Sequence, residues 1–551
     1  MKTYRRLRKK GSKEPLLCHF NNVVASVERV LGKGSTDPSR YGDADLYAEK
    51  YLAYNLRRKE AAPLHSEVSP ETRRAETLTG FLQRELLNRR LNETRTYGYD
   101  PATGEYKSDE LGLRLLYDAR DIIACILKQA PNLDRIATLC DFGNGASATL
   151  RRNEAQRPRK FGHKLSVTRG LLVFAEKLIG TSPAWSTLFG AHKDTWYVDR
   201  SGNTYCLPEK PKVISGGVLD FVAKTAEIDR IIIKEPELNG FVQKGIGREM
   251  RQLLRLYLSK TSVGVDLNTS GDLNSELARA GSLQGHIGTV DGERASDSIT
   301  LSAVEFLLPE DWVTLISVAR SPYCLINGKW HRLQMVSGMG NGFTFELESI
   351  IFYAIGLACA RYSKYPFAEK YVSIHGDDLT VPSDVMALVR EAYAALGITV
   401  NKSKSFGEGP FRESCGGHWF NGTSVKPFYV KTSNGLSRGD WFWLANSLFH
   451  WLSDRTPEYL RSKKGQDLLE HLVYIRDYST SYSRAENRFR IPFDRSRRAG
   501  IYERAPSSTG AWYKCLLNVD VPRTARFTDA EAYVAWLHSP QVSPSPYELL
   551  Y

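Results

Sequence analysis

The stretch Tyr371-Val-Ser-Ile-His-Gly-Asp-Asp-Leu-Thr-Val-Pro382 holds two β-type runs, 371–374 and 379–381, on either side of the turn His375-Gly376-Asp377-Asp378. Apolar residues flanking a Gly-Asp turn predict a hairpin with two adjacent carboxylates at its tip. Burial of the flanks fixes the turn, so the acids cannot move apart. Their repulsion is tolerable only beside positive charge, for which a divalent cation is the obvious candidate. Gly-Asp-Asp alone is equally compatible with an ordinary surface turn. Its chemical meaning depends on whether the chain also supplies a third carboxylate and a cationic surround.

The chain is long and basic enough to do so. Its 551 residues, 42% hydrophobic and 11% aromatic, exceed what one hydrophobic core serves and predict several subdomains. Lys and Arg total 75 against 62 Asp and Glu, a formal charge of +13, so a polyanion is the natural partner. The eight cysteines, at 18, 125, 140, 206, 324, 359, 415 and 515, form no C-x-x-C pair. Neither a zinc site nor a disulfide framework is expected, and a reducing cytosolic setting fits. The basic start, residues 1–10, is not followed by an apolar core of signal-peptide length. The longest apolar stretch, 350–360, is too short for a bilayer span of ~20 residues and predicts a buried helix.

Residues 1 to about 135 are expected to be mostly helical, with amphipathic runs at 77–91 and 111–128. Gly32-Lys-Gly-Ser-Thr36 lacks the spacing of a phosphate loop. After the turn-rich Asp141-Phe-Gly-Asn-Gly-Ala146 come Arg151, Arg152, Arg157, Arg159, Lys160, His163 and Lys164, either a solvated face or a contact for backbone phosphates. Lys224 and Arg230 precede a β-branched run. Lys244, Arg248, Arg251 and Arg255 then recur on roughly one helical face. Cations spaced like this clamp a triphosphate or form a salt-bridged ribbon, and both readings stay open.

A third carboxylate stands in Gly288-Thr-Val-Asp-Gly-Glu-Arg-Ala-Ser-Asp-Ser-Ile-Thr300, where Asp291 ends a short β run, a position from which acids commonly face a site. Asp297 and Ser298 read as caps of the helix that follows. Val265-Asp-Leu-Asn-Thr-Ser-Gly-Asp272 competes, but no helix resumes as directly after it. Val336-Ser-Gly-Met-Gly-Asn-Gly342 is read as a flexible loop that closes over a sugar and base before a buried helix. Residues 385–396 are helical by pattern, 398–406 are strand-like with Lys402 and Lys404, and 409–420 suggest another hairpin. This order is the layout of a template-directed polymerase palm.

The segments 291–298, Met339-Gly-Asn-Gly-Phe-Thr-Phe-Glu-Leu-Glu-Ser349, Gly376-Asp-Asp378, Glu408-Gly-Pro-Phe-Arg-Glu-Ser-Cys-Gly416 and Pro427-Phe-Tyr429 resemble the replicase β subunit of positive-strand RNA bacteriophages, the leviviruses. The resemblance covers roughly 220–430, and Phe142-Gly-Asn-Gly-Ala146 is similar to an upstream family segment. It implies an α+β right-hand polymerase, with an N-terminal and fingers region over 1–276, a palm over 277–410, and the palm end and a mainly helical thumb over 411–551. It implies RNA-directed RNA synthesis from ribonucleoside triphosphates without a primer. Asp291, Asp377 and Asp378 would hold two Mg²⁺ ions. Lys224 and Arg230 would grip the triphosphate. Ser296 or Asp297, with Ser337, Gly338 and Asn341, would read the ribose 2′-hydroxyl, and Lys404 would donate a proton to the pyrophosphate.

The implied partners are template and product RNA and, in the bacterial host's cytoplasm, elongation factors Tu and Ts and an RNA-binding ribosomal protein, with no membrane. Two departures stand out: His375 replaces the family's usual Tyr, and Gly292-Glu-Arg294 replaces a mostly uncharged segment. The competing readings are a reverse transcriptase, for which the bulky aromatic after the first acid is missing from 292–298, and a non-enzymatic RNA-binding protein. The basic tract 484–498, with Phe489 and Phe493, is a further candidate for RNA contact.

Overall fold

Helix Thr344–Ala360 is apolar on every side, and all of its residues but Phe345 are buried. A helix of that composition is stable only when other elements cover its whole circumference. Helices Glu110–Leu127 and Glu237–Thr261 and the acidic hairpin supply the cover. Burying Ile350, Ile351, Phe352 and Ile355 stabilises the fold by about 1.5–3 kcal/mol each before conformational entropy is counted. The computed structural model describes residues 16–58, 69–94, 99–100, 105–106, 110–128, 130–152, 154–155, 160–161, 165–175, 197–198, 204–205, 211–225, 228–261, 265–430, 438–481, 488–492, 502–504 and 512–516.

The expected hairpin forms from Ser373–His375 and Asp378–Pro382, and the latter strand also pairs antiparallel with Ile287–Val290. This three-stranded sheet lies between the buried helix and helix Ser270–Gln284, which ends on Gly285 in a left-handed cap at φ +78. A second sheet has the order Lys329–Arg332, Tyr323–Ile326, Gly216–Ala223, Asp229–Lys234, with its middle pair parallel. The predicted hairpin at 409–420 forms as Phe411–Ser414 and Gly417–Phe420. The fold is α+β.

Residues 16–56 join a different core from the one around the buried helix. Helices Leu16–Leu31 and Ala44–Asn55 pack with the 411–424 sheet and with helices Arg438–Ser453 and Lys463–Ser481. Residues 16–56 are therefore stitched to residues 411–481, and Asp45 and Arg455 form a buried ion pair there.

Three local expectations change. The helix Leu301–Leu307 is capped by Thr300, whose side chain accepts the Ala303 N–H, while Asp297 and Ser298 belong to a separate turn of helix, Ala295–Ser298. The 398–406 segment is not a continuous strand, and its backbone pairs with the 289–292 stretch at isolated bridges, Gly292 to Val400 and Thr289 to Phe406. The glycine loop is pinned: Ile233 N–H donates to the Met339 carbonyl and Gly342 N–H to Gln243 Oε1. Gly340 sits at φ +110 with no room for a Cβ against the Ile233 carbonyl. The loop glycines serve close approach between strand and helix.

Candidate active site

The sheet register assembles the acids. Leu379 pairs with Val290, so Asp378, the preceding residue, stands across from Asp291 where that ladder ends, and His375 pairs with Asp378 on the other side. Asp377 caps the turn beside Gly376, which adopts φ +68. A Cβ on Gly376 would lie 2.9 Å from the Phe345 ring and 3.3 Å from Glu348 Oε1, so the turn rests directly on the buried helix. The Gly376 N–H donates to Ser349 Oγ at 3.0 Å, and His375 Nδ1 lies 2.9 Å from Ser270 Oγ with its ring edge-on to Phe345. His375 is a wedge between two helices.

Asp291 is held from its other edge. Only two residues separate Thr289 from Gly292, whereas five separate Val400 from Phe406, so the intervening 401–405 segment bulges outward. The bulge sends Lys404 back to Asp291, with Nζ to Oδ2 at 3.0 Å. Burial alone would lower the Lys404 ammonium, but the Asp291 charge and hydrogen bond outweigh it and hold the group above the ordinary lysine range. Lys224, on the tight loop that joins the 216–223 and 229–234 strands, lies in the same field. It is held low by desolvation first and then by Arg230 and Lys404, although the residue as a whole is exposed.

The hairpin acids respond to this setting. Burial first, and the neighbouring Asp291 second, raise Asp377 above the usual carboxylate range, and burial and Asp377 push Asp378 up to about 6. Asp378 Oδ2 accepts the N–H of Cys415, whose backbone sits at φ +49 in the turn of the 411–420 hairpin. Asn274 Nδ2 donates to the Asp378 carbonyl. Glu348, beneath the turn, is held well above its ordinary value by burial and then by the charge of Asp377. Sequence reading assigned no role to Cys415, Asn274 or Glu348. Only Glu348 carried a signal, as one of two acids, with Glu346, at the head of an apolar run.

Among the described residues no three acidic, histidine or cysteine side chains converge tightly enough to enclose an ion, since Asp291 turns to Lys404 and Asp378 to Cys415. The donor set nonetheless suits Mg²⁺: all three donors are carboxylates, and the charge of Asp291 reaches Asp377 and Asp378 closely enough to raise the proton affinity of both. A divalent cation would relieve that repulsion.

The other expected site residues are placed as follows. Asp297 is pushed up to about 6 by burial, and Ser296 lies partly exposed beside it. Ser337 and Gly338 are buried, and both receive the Thr344 hydroxyl through the Ser337 Oγ and the Gly338 carbonyl. Asn341 accepts the Phe343 N–H. Four cations expected on one helical face are already engaged: Lys244 and Arg248 with Asp141, Arg251 with Glu346, and Arg255 with Asp266. That stretch is the salt-bridged ribbon. Lys160 is a correction too. It is buried and donates to the Gly143 and Gly145 carbonyls, so it braces a turn instead of facing a polyanion. Arg151 and Arg152 are exposed, while Arg157, Arg159, His163 and Lys164 lie outside the described residues, as does most of the 484–498 tract.

Comparison with known proteins identifies relatives of the chain. The family model described as RNA replicase, beta-chain, matches residues 21–455. The RNA-directed RNA polymerase beta chain of Enterobacteria phage fr is 32% identical over 398 residues, 71% of this chain and 67% of that protein. The corresponding subunit of Escherichia virus Qbeta is 33% identical over 354 residues, 64% of this chain and 55% of that protein. The beta chain of Escherichia phage MS2 is 36% identical over 293 residues, 53% and 49% respectively. The alignments thus span between about half and two thirds of these relatives. With a family model that covers most of its length and an acid-tipped hairpin inside the matched region, the chain belongs to the RNA replicase β-chain family, whose members compared here are RNA-directed RNA polymerases.

Proposed function

We propose that this chain is an RNA-directed RNA polymerase that copies a single-stranded phage RNA from ribonucleoside triphosphates and starts without a primer. The observation that carries the reading is the row His375–Asp378–Asp291 with Asp377 at its tip, faced by Lys404, Lys224 and Arg230. A surface turn has no need of three acids gathered under three cations.

Asp291, Asp377 and Asp378 would hold two Mg²⁺ ions, which when bound activate the 3′-hydroxyl and neutralise charge on the pyrophosphate. Lys224 and Arg230 meet the triphosphate as it enters, and their charge offsets the negative charge on the leaving group. Lys404, protonated beside Asp291, gives its proton to the bridging oxygen as the pyrophosphate departs. Ser296 or Asp297, with the 337–341 loop, reads the ribose 2′-hydroxyl. In this reading 1–276 holds the N-terminal and fingers region, 277–410 the palm, and 411–551 the palm end and thumb. Template and product RNA run past the exposed Arg151 and Arg152. Host elongation factors Tu and Ts and an RNA-binding ribosomal protein complete the complex in the bacterial cytoplasm. Among the described residues no helix is long and apolar enough to cross a membrane.

The test is a primer-free assay with a defined RNA, four ribonucleotides and Mg²⁺. Asp377→Asn is expected to abolish incorporation while leaving RNA binding nearly intact, and retained synthesis would sink the assignment. Preference for deoxyribonucleotides would favour a reverse transcriptase. Salt-dependent RNA binding indifferent to Mg²⁺, with no synthesis, would favour a binding protein.

A further inference from the structure

Helix Pro70–Thr94 contributes no strand and no acid to the site, yet one of its faces is committed to backbone groups far away in sequence. Arg84, Glu85, Asn88 and Asn92 follow the helical repeat and project together. Asn88 is fully buried. Its Nδ2 donates to the Asp297 carbonyl at 2.8 Å and to Glu85 Oε1 at 3.0 Å, and its Oδ1 accepts from Arg84 Nε. Glu85 accepts the Gln334 N–H at 2.7 Å and the Met335 N–H at 3.1 Å. Asn92 spans the same gap alone: Oδ1 accepts the Ser302 N–H at 3.0 Å, and Nδ2 donates to the Gln334 carbonyl at 2.8 Å. Arg84 Nη2 reaches the Gly397 carbonyl at 2.8 Å. One turn earlier, Gly80 leaves room for the Arg294 guanidinium against the helix.

Two independent bridges, Glu85–Asn88 and Asn92, therefore tie the 297–302 segment to residues 334–335. The first segment follows Asp291 and the second leads into the glycine loop. The segments also meet directly, through Val336 N–H to the Ile299 carbonyl at 2.8 Å, so their junction does not depend on the helix for its existence. The bridges instead fix its spacing. Two backbone carbonyls and three N–H groups held by side-chain amides and a carboxylate have little freedom to slide, and a displacement of about 1 Å between recognition elements costs about 10²-fold in rate.

We propose that Glu85, Asn88 and Asn92 are positioning residues for sugar recognition. They gauge the slot between the 296–297 turn and the 337–341 loop, and so set how strongly a ribonucleotide is preferred over its 2′-deoxy counterpart. The inference rests on the ribonucleotide-polymerising function proposed above. It makes discrimination a property of a helix that touches no substrate.

The experiment is single-nucleotide incorporation with ATP and with 2′-deoxy-ATP on a defined RNA, for the full chain and for Glu85→Gln, Glu85→Ala and Asn92→Ala, each with its melting temperature. Asn92 is only partly buried, so its truncation tests the bridge without opening the core. The alanine variants are expected to raise KM for ATP and to lower the ratio of kcat/KM for ATP over 2′-deoxy-ATP about tenfold, with melting within a few degrees of the parent. Glu85→Gln, which keeps one acceptor oxygen, is expected to fall between parent and Glu85→Ala. A parent that discriminates, with variants whose ratio is unchanged or whose two rates fall equally, overturns the inference alone. A parent that polymerises neither nucleotide overturns the functional reading and the inference with it.

Discussion

The Lys404 ammonium lies 3.0 Å from Oδ2 of Asp291, a contact made by a bulge that brings together residues 113 apart in sequence. Asp291 keeps this lysine protonated across the neutral range, because it raises the ammonium by more than burial lowers it. Lys404→Ala is expected to slow nucleotide incorporation by about 10²-fold or more, the usual scale for a lost general acid. Lys404→Arg keeps the charge beside Asp291, but its guanidinium does not give up a proton at these pH values. It should preserve RNA binding and remain slow. Pre-steady-state incorporation kinetics decide the matter: an arginine variant at parental speed would remove Lys404 as the proton donor.

Asp378, pushed up to about 6, makes a signed prediction about pH. An acid whose native value lies above its unfolded value near 3.8 favours the native state fully below about 3.8, and that contribution is lost as pH rises through about 6. Asp378→Asn mimics the protonated form and keeps an oxygen for the Cys415 N–H. Without divalent ions the variant should match the parent near pH 4 and become more stable by up to about 2–3 kcal/mol by pH 7. Added Mg²⁺ should then stabilise the parent at pH 7 and not the variant. Urea denaturation at both pH values, with and without Mg²⁺, measures this, and a parent indifferent to Mg²⁺ at pH 7 would argue against ion binding here.

These two residues mark where sequence legibility ends. The hairpin and the buried helix were legible because each is a local pattern, an alternating run on a Gly-Asp turn and an apolar stretch with no polar side. Asp291 was legible as the last residue of a short β run. Lys404 was readable only as a lysine on a strand-like segment, since the bulge that aims it exists only against the 287–292 backbone. The same limit misled at Lys160, and it left two readings open in the 237–261 helix, whose cations are matched by Asp141, Glu346 and Asp266, acids that only tertiary folding brings near. Helix Pro70–Thr94 read as amphipathic, but nothing in its periodicity named Gln334 or Asp297 as partners.

Arg412 extends the point to stability. Its side chain is fully buried with no hydrogen-bonded acid, and its guanidinium donates to the carbonyls of Ile287, Gly407, Glu408, Gly409 and Phe411. Burial lowers it to about 10, still protonated at neutral pH. Ile287 starts the strand that ends at Asp291, and 407–411 leads to the turn that holds Asp378, so one cation sets the approach of both. Arg412→Lys has fewer donors and a rounder head, leaves buried carbonyls unpaired, and is expected to cost about 2–4 kcal/mol in chemical denaturation. A loss below about 1 kcal/mol would mean that water replaces the guanidinium.

The N-terminal helices are joined to the 438–481 region by a second buried cation with the opposite logic. Arg455 is paired at 3.1 Å with Asp45, which also accepts the Thr456 N–H at 3.0 Å. Asp45→Ala strands a buried guanidinium and should destabilise the protein by about 3–5 kcal/mol, because the desolvation penalty is no longer offset. Removing both charges, as in Asp45→Asn with Arg455→Met, should recover a large part of that loss, since two buried charges contribute less net stability than either lone charge removes. The Thr456 N–H keeps an acceptor in that double variant, so the comparison isolates the two charges from that hydrogen bond. If denaturation shows the double variant no more stable than Asp45→Ala, then the attraction between the two charges, and not relief of a stranded cation, holds the N-terminal helices against the 438–481 region.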